Sequence, residues 1–319
     1  MTGQPPPQTP APMSNEPARN APQSLPSGPP LLAVGALLVN ALVWGLSWWP
    51  FRQLQEQGLH PLWSTALIYA AAVVCVLAWR PLAWRPLARH RGLWLLLVAA
   101  GLTNVGFNWA VSIGDVVRVV LLFYLMPAWS IVLAWPLLGE RPSRASLLRL
   151  LLALAGVVVV LKAPDSPWPV PQSGADWLAI GGGLCFAITN ILLRRYGNTP
   201  SEGRMLAMFG GGAVMASAAA ALGMGLGMVG APALGDSGWP VAVGLCLAFL
   251  ASNLALQYGA ARLAASTTAL VMLTEILFAS VSSAWLGAAE LQTRTLIGGG
   301  LIILAALLAA LQSGSKDQG

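Results

Sequence analysis

Leu93-Trp-Leu-Leu-Leu-Val-Ala-Ala100 is an apolar run with no polar residue alternating between its neighbours. A barrel strand crossing a bilayer would alternate apolar and polar side chains over roughly ten positions. Lipid offers no partner to a backbone amide or carbonyl, so a crossing segment forms a helix or joins a closed barrel. The run therefore predicts a membrane-crossing helix, and the rest of the chain repeats its pattern. Hydrophobic residues make up 56% and charged residues 9%, against roughly 45–50% and 25% in soluble domains. So few charges cannot cover a soluble surface of this length. The expected fold class is an all-α polytopic membrane protein.

Apolar runs of about 20 residues are long enough to span a bilayer as helix. Divided at charged or Pro/Gly-rich breaks, they predict ten transmembrane helices near 31–51, 62–80, 92–112, 116–138, 145–162, 175–194, 204–229, 239–259, 265–286 and 292–312. A cytoplasmic N-terminus puts 13 of the 17 Lys and Arg on the inner side; only Arg52, Arg118, Lys162 and Arg294 are left outside. That is the positive-inside bias, so both termini are expected in the cytoplasm, with the chain multi-pass in the cell (inner) membrane. Residues 1–30 carry ten prolines among Gln, Ser and Asn, and are expected to form a disordered cytoplasmic tail without a cleavable signal. An outer linker is expected at 163–174 and a second short cytoplasmic tail at 313–319.

A shift of 149 residues lays the third and fourth runs on the eighth and ninth. Asn104 then falls on Asn253 and Asn108 on Gln257; each pair is four apart, hence on one helical face. Leu138-Gly-Glu140 closes the fourth run, and Leu286-Gly-Ala-Ala-Glu290 closes the ninth. Each half holds five runs, and since five is odd the second half enters the membrane from the opposite side. Inverted repeats recur in secondary transporters, with the solute site near the midplane between them.

Leu42-Val-Trp-Gly-Leu-Ser47 in the first run resembles the start of an EamA domain of the drug/metabolite transporter superfamily. Phe123-Tyr-Leu-Met-Pro-Ala-Trp-Ser-Ile-Val-Leu-Ala-Trp-Pro-Leu-Leu-Gly-Glu140 resembles that domain's fourth helix. The resemblance implies two EamA-type five-helix repeats, at 31–162 and 175–312, working by alternating access, mostly as exporters of amino acids or other small metabolites. Around Tyr124-Leu-Met-Pro127 the sequence is similar to exporters of aromatic and related amino acids. Ile276 stands where the family commonly has proline, which removes the ground for a matching kink in the ninth helix.

Glu275, inside the run Leu273-Thr-Glu-Ile-Leu-Phe-Ala-Ser-Val-Ser-Ser-Ala-Trp285, is the first candidate for binding solute. An ionisable group at the bilayer centre costs a few kcal/mol unless it meets a partner or a polar cavity. It would bind a substrate amine or exchange a proton; a glutamic acid that only fixes helix packing is the alternative. Asn104, Asn108, Asn253 and Gln257 form the second set, suited to a polar or zwitterionic solute or to holding helices together. Trp44, Trp48, Tyr124 and Trp129 would wall an aromatic-friendly pocket, and Pro127 would supply a hinge or a static kink. Asn40 and Asn190 are lesser polar candidates inside the first and sixth runs.

Three cysteines, Cys75, Cys185 and Cys246, lie singly in separate runs, so no metal or redox motif is expected. No cofactor, metal or nucleic acid is expected as partner: the basic residues are scattered over short loops, and no phosphate-binding Gly-x-x-x-x-Gly-Lys-Ser/Thr loop is present. The two histidines, His60 and His90, fall in loops on opposite sides, away from any nucleophile, which argues against an enzyme. The expected partners are a small solute and the bilayer, with a homodimer left open. A non-transporting membrane sensor or scaffold is the alternative function.

Overall fold

The computed structural model describes residues 30–114, 116–161, 171–235, 237–287 and 293–315. The Pro-rich tail to residue 29, most of the 163–174 linker, Glu290 and the last four residues lie outside the described residues. Those described form fourteen helices and no strand: α1 (Pro30–Leu46), α2 (Trp48–Glu56), α3 (Pro61–Trp79), α4 (Trp84–Arg89), α5 (Arg91–Ile113), α6 (Val116–Phe123), α7 (Met126–Leu138), α8 (Arg144–Leu161), α9 (Gly174–Arg195), α10 (Ser201–Gly225), α11 (Gly238–Arg262), α12 (Ala265–Met272), α13 (Glu275–Trp285) and α14 (Thr293–Ser315). Eight spans among them are long and apolar enough to cross a membrane. Three are bipartite: α1 with α2, α6 with α7, and α12 with α13. The fifth and tenth runs became α8 and α14, each running up against residues outside that set. The short α4 was not expected from the sequence.

Local chemistry sets the helix ends. Before α3, the Leu62 amide donates to His60 Nδ1 at 3.2 Å and Pro61 takes the first helical position, where a missing N–H costs nothing. At α9, Ser173 and Asp176 form a reciprocal capping box, the Asp176 amide donating to Ser173 Oγ and the Ser173 amide to Asp176 Oδ2. This satisfies amides that a helix start otherwise leaves unpaired. Gly139 ends α7 in the left-handed region, at φ 73°, a conformation that favours glycine.

The first span, expected as one helix over 31–51, breaks at Ser47 and continues to Glu56. Pro50 has no amide hydrogen for the Leu46 carbonyl, and the Ser47 hydroxyl donates instead to the Trp44 carbonyl at 2.7 Å.

Packing between the halves is exchangeable. α5 lies on α9 as α11 lies on α1; α6 and α7 lie on α9 as α12 and α13 lie on α1; α3 faces α10, and α8 faces α14. The α8–α14 seam needs glycine on both sides: a Cβ added to Gly156 would come 2.7 Å from the Gly298 carbonyl, and one on Gly298 would come 2.6 Å from the Gly156 carbonyl. Small residues of this kind let membrane helices pack backbone to backbone.

Candidate functional site

A cavity of about 90 Å³ opens where the eight spans meet, and every one of them lines it, while α8 and α14 do not. At roughly 10–15 Å³ per water-sized sphere it holds a handful of waters or a small solute. α3 and α10, not expected to contribute, supply Tyr69, Met208 and Phe209. Among the described lining residues Glu275 is the one acidic side chain, and none is basic.

Glu275 sits where two broken helices face one another. α6 gives way to α7 at Tyr124 and Leu125, and the 149-residue shift puts these on Leu273 and Thr274, where α12 gives way to α13. Pro127 explains the first break, since its ring nitrogen cannot donate to the Phe123 carbonyl. The second forms without proline. There the Ile276 amide donates to the Leu273 carbonyl at 3.2 Å and the Leu277 amide to Thr274 at 3.0 Å, the tighter spacing of a 3₁₀ turn. The Thr274 hydroxyl donates to the Val271 carbonyl at 2.7 Å. Gly45 lets α1 approach this turn: a Cβ there would lie 2.7 Å from the Glu275 carbonyl.

Across the break, the Tyr124 hydroxyl donates to Glu275 Oε1. Tyr124 is itself buried and stands behind the carboxylate rather than in the lining. The other carboxylate oxygen makes no hydrogen bond among the described residues, and the side chain lines the void. An ammonium entering there would find a charged acceptor.

The amides divide. Asn104 and Asn108 on α5 and Asn253 on α11 line the cavity; Gln257 does not. Asn104 accepts from the Tyr69 hydroxyl at 3.0 Å, and Asn108 donates to Thr65 Oγ1 at 2.6 Å. Gln257 lies one turn beyond Asn253 and donates to its Oδ1 at 2.6 Å, while its own oxygen accepts from Arg204 Nε at 2.9 Å. It is a support for Asn253, not a wall of the cavity. Asn40 does reach the void: its amide nitrogen donates to the Ser252 carbonyl at 3.0 Å, and its Oδ1 has no partner among the described residues. Asn190 is buried away from the lining, both amide atoms unpartnered there.

The aromatic wall is phenylalanine. Phe107, Phe123, Phe186, Phe209 and Phe249 line the cavity with Tyr69 and Trp44, the only tryptophan among the described lining residues. Trp44 stacks on Phe249 with centroids 4.7 Å apart, and Phe107 meets Phe123 at 4.8 Å. Trp48 and Trp129, expected to share the wall, are elsewhere. Trp48 Nε1 donates to Ser282 Oγ at 3.0 Å, tying α2 to α13; Trp129 is outside the lining, its indole N–H unpartnered among the described residues. Most other tryptophans, including Trp79, Trp84 and Trp239, are exposed near span ends, as interfacial anchors are. Thr103, Thr189 and Ser252 complete the polar lining and were missed in the sequence. A phenol at Tyr69, mid-way along an apolar run, was the signal that could have drawn α3 in.

Residues 31–162 match the EamA-like transporter family. This part of the chain resembles an EamA-like transporter domain. It contributes α1 through α8 and, with them, Trp44, Asn104, Asn108 and Tyr124. A search of curated proteins finds no match. Solved structures share this fold: one, titled only as the crystal structure of a protein, has a TM-score of 0.72 at 19% identity, covering 88% of this chain and 98% of its own. At that identity the likeness shows the fold alone. It extends well past the EamA-like domain into the second half of the chain.

Proposed function

We propose that the chain is a secondary transporter, an exporter, of amino acids or similar small metabolites bearing a protonated amine. One observation carries this reading: a single carboxylate, Glu275, faces an aromatic and amide-lined void where the broken helices of the two halves meet. The amine pairs with Glu275, the apolar part of the solute lies against the phenylalanines and Trp44, and Asn104, Asn108 and Asn253 take its remaining polar groups. A cation also gains from the faces of the surrounding rings.

The proposed architecture is ten spans in two inverted five-helix repeats, 31–162 and 175–312, with α8 and α14 as the fifth and tenth. The 149-residue register and the exchangeable packing support it. Arg194, Arg195 and Arg204 share one membrane face with the loop around Arg85 and Arg89, which supports a cytoplasmic assignment for that face. In the proposed cycle the halves rock about the cavity, and the paired breaks, Pro127 beside one of them, act as hinges. Such hinges absorb the dihedral change while the flanking helices stay rigid.

The test is flux. Purified protein in liposomes should exchange labelled amino acids against an empty-vesicle control, and Glu275→Gln should lower the exchange by about 10- to 100-fold. No exchange across a broad amino-acid panel would defeat the substrate class. No exchange of any amine-bearing metabolite would defeat the transport reading and favour the sensor or scaffold alternative.

A further inference from the structure

A second cavity, of about 280 Å³, lies at one end of the bundle and has no part in the site above. Five helix ends converge on it: the ends of α7 and α9, the starts of α8 and α12, and the last turns of α14. Its wall is polar where the central cavity is aromatic. Arg141, Arg149 and Arg194 face it with Glu140 as the one carboxylate among the described residues, and Ser143, Ser146, Ser266 and Thr267 add hydroxyls.

Among the described residues the charges there do not balance. Glu140 is already committed: it pairs with Arg194 Nε and accepts the Ala265 amide at the start of α12 at 3.3 Å. Arg194 is further fixed by donating to the Leu263 carbonyl. Arg149 is buried, at 9% exposure, and is aimed by Ser146 Oγ at 3.0 Å and the Leu308 carbonyl at 3.4 Å. Arg141 makes no hydrogen bond or ion pair among the described residues. Three guanidiniums thus line a space to which the described residues bring one carboxylate. Planar guanidinium forks match the oxygens of a phosphate group in geometry and charge.

We propose that this pocket binds a phosphate group, carried by an anionic lipid headgroup or present as free phosphate. The surroundings favour the lipid. Leu148 and Leu151 on α8 and Leu307 and Leu311 on α14 are 55–70% exposed beside the pocket, an apolar surface along which acyl chains would lie while the headgroup enters between the helix ends. Basic pockets between membrane helices on the cytoplasmic side are a known setting for anionic headgroups. A bound phosphate would bridge α8 to the ends of α7 and α9, and so couple the peripheral α8–α14 pair to the spans that form the cavity.

The experiment is thermal unfolding of the purified full chain in a neutral detergent, with phosphatidylglycerol, phosphatidylcholine or inorganic phosphate added separately. Phosphatidylglycerol should raise the unfolding temperature and phosphatidylcholine should raise it less, because choline brings its own positive charge to the arginines. Arg141→Gln, at an exposed position with no bond to lose, should leave the unliganded temperature unchanged and remove about half of the shift; adding Arg149→Gln should remove the rest. A shift produced by inorganic phosphate, with the two lipids equal, would assign the pocket to free phosphate. Equal shifts from both lipids with none from phosphate, or a full phosphatidylglycerol shift in both variants, would overturn the proposal. Flux through the central cavity plays no part in the readout, so the outcome is independent of the transport reading.

Discussion

Two amide ladders flank the cavity, built on one plan with different chemistry. On one side, Asn104 and Asn108 of α5 meet Tyr69 and Thr65 of α3; on the other, Asn253 and Gln257 of α11 meet Met208 and Arg204 of α10. In both, two residues four apart on one helix reach two residues four apart on its neighbour, so the backbone arrangement is duplicated. The roles are not. Tyr69 donates to Asn104, whereas Met208 Sδ accepts from Asn253 at 3.3 Å. The first ladder ends on a neutral threonine. The second ends on a guanidinium with 6% exposure, which also donates to the Tyr196 and Gly197 carbonyls just past the end of α9, where a cation suits the helix dipole. The two sides share where side chains meet and differ in what they are; the carboxylate at one of the two helix breaks follows the same rule.

The largest effect expected from that asymmetry concerns the breaks. Glu275 and Met126 are equivalent under the 149-residue shift, yet only Glu275 lines the cavity. Glu275→Gln keeps shape and removes charge, and should lower liposome flux by about 10- to 100-fold, the worth of one hydrogen bond to a charged group. Met126→Leu, a volume-conserving swap, should stay within about twofold. Equal losses in both variants would mean that the breaks matter as hinges and the carboxylate does not. Next comes the charged end of the second ladder. Arg204→Ala leaves the Gln257 oxygen and two carbonyls short of a donor and should destabilise the chain by about 2–3 kcal/mol, read as earlier unfolding in detergent. Tyr124→Phe should be milder: Glu275 loses its donor but stays beside a wet cavity, so flux falls by about tenfold or less while unfolding barely moves.

How much of this was legible in the sequence differs between the ladders' two rails. Asn104, Asn108, Asn253 and Gln257 were found because one register shift overlays α5 on α11. Thr65 and Tyr69 correspond to Arg204 and Met208 at a shift of 139, ten fewer, and six of those ten come from α10 running 25 residues where α3 runs 19. No single shift exposes both rails, so the partners stayed hidden, and Gln257 was assigned to the cavity because nothing in the sequence revealed that Arg204 occupies its carbonyl. The breaks divide similarly. Pro127 is a local cause, visible in the chain; the turn at Leu273 and Thr274 rests on a hydroxyl-to-carbonyl bond and on close packing by Gly45, which exist only once the helices are assembled. Membrane class and the placement of eight spans were the easiest to read, because they follow from composition and run length alone.

The smallest effect is the sharpest test of the comparison. Thr65 Oγ1 accepts from Asn108 and donates to the Pro61 carbonyl at 2.9 Å, so Thr65→Val, nearly equal in volume, breaks the outermost bond of the first ladder as Arg204→Ala breaks that of the second. The costs should differ by several-fold. Asn108 lines the cavity, so water can replace the lost hydroxyl, and interhelical bonds of this kind contribute roughly 0.6 kcal/mol. Gln257, at 1% exposure and outside the cavity, has no water to turn to. Unfolding of the two variants under one set of conditions should therefore separate clearly. Matching losses would mean that the central void is closed to water at Asn108, and that the first ladder is as much a structural strut as the second.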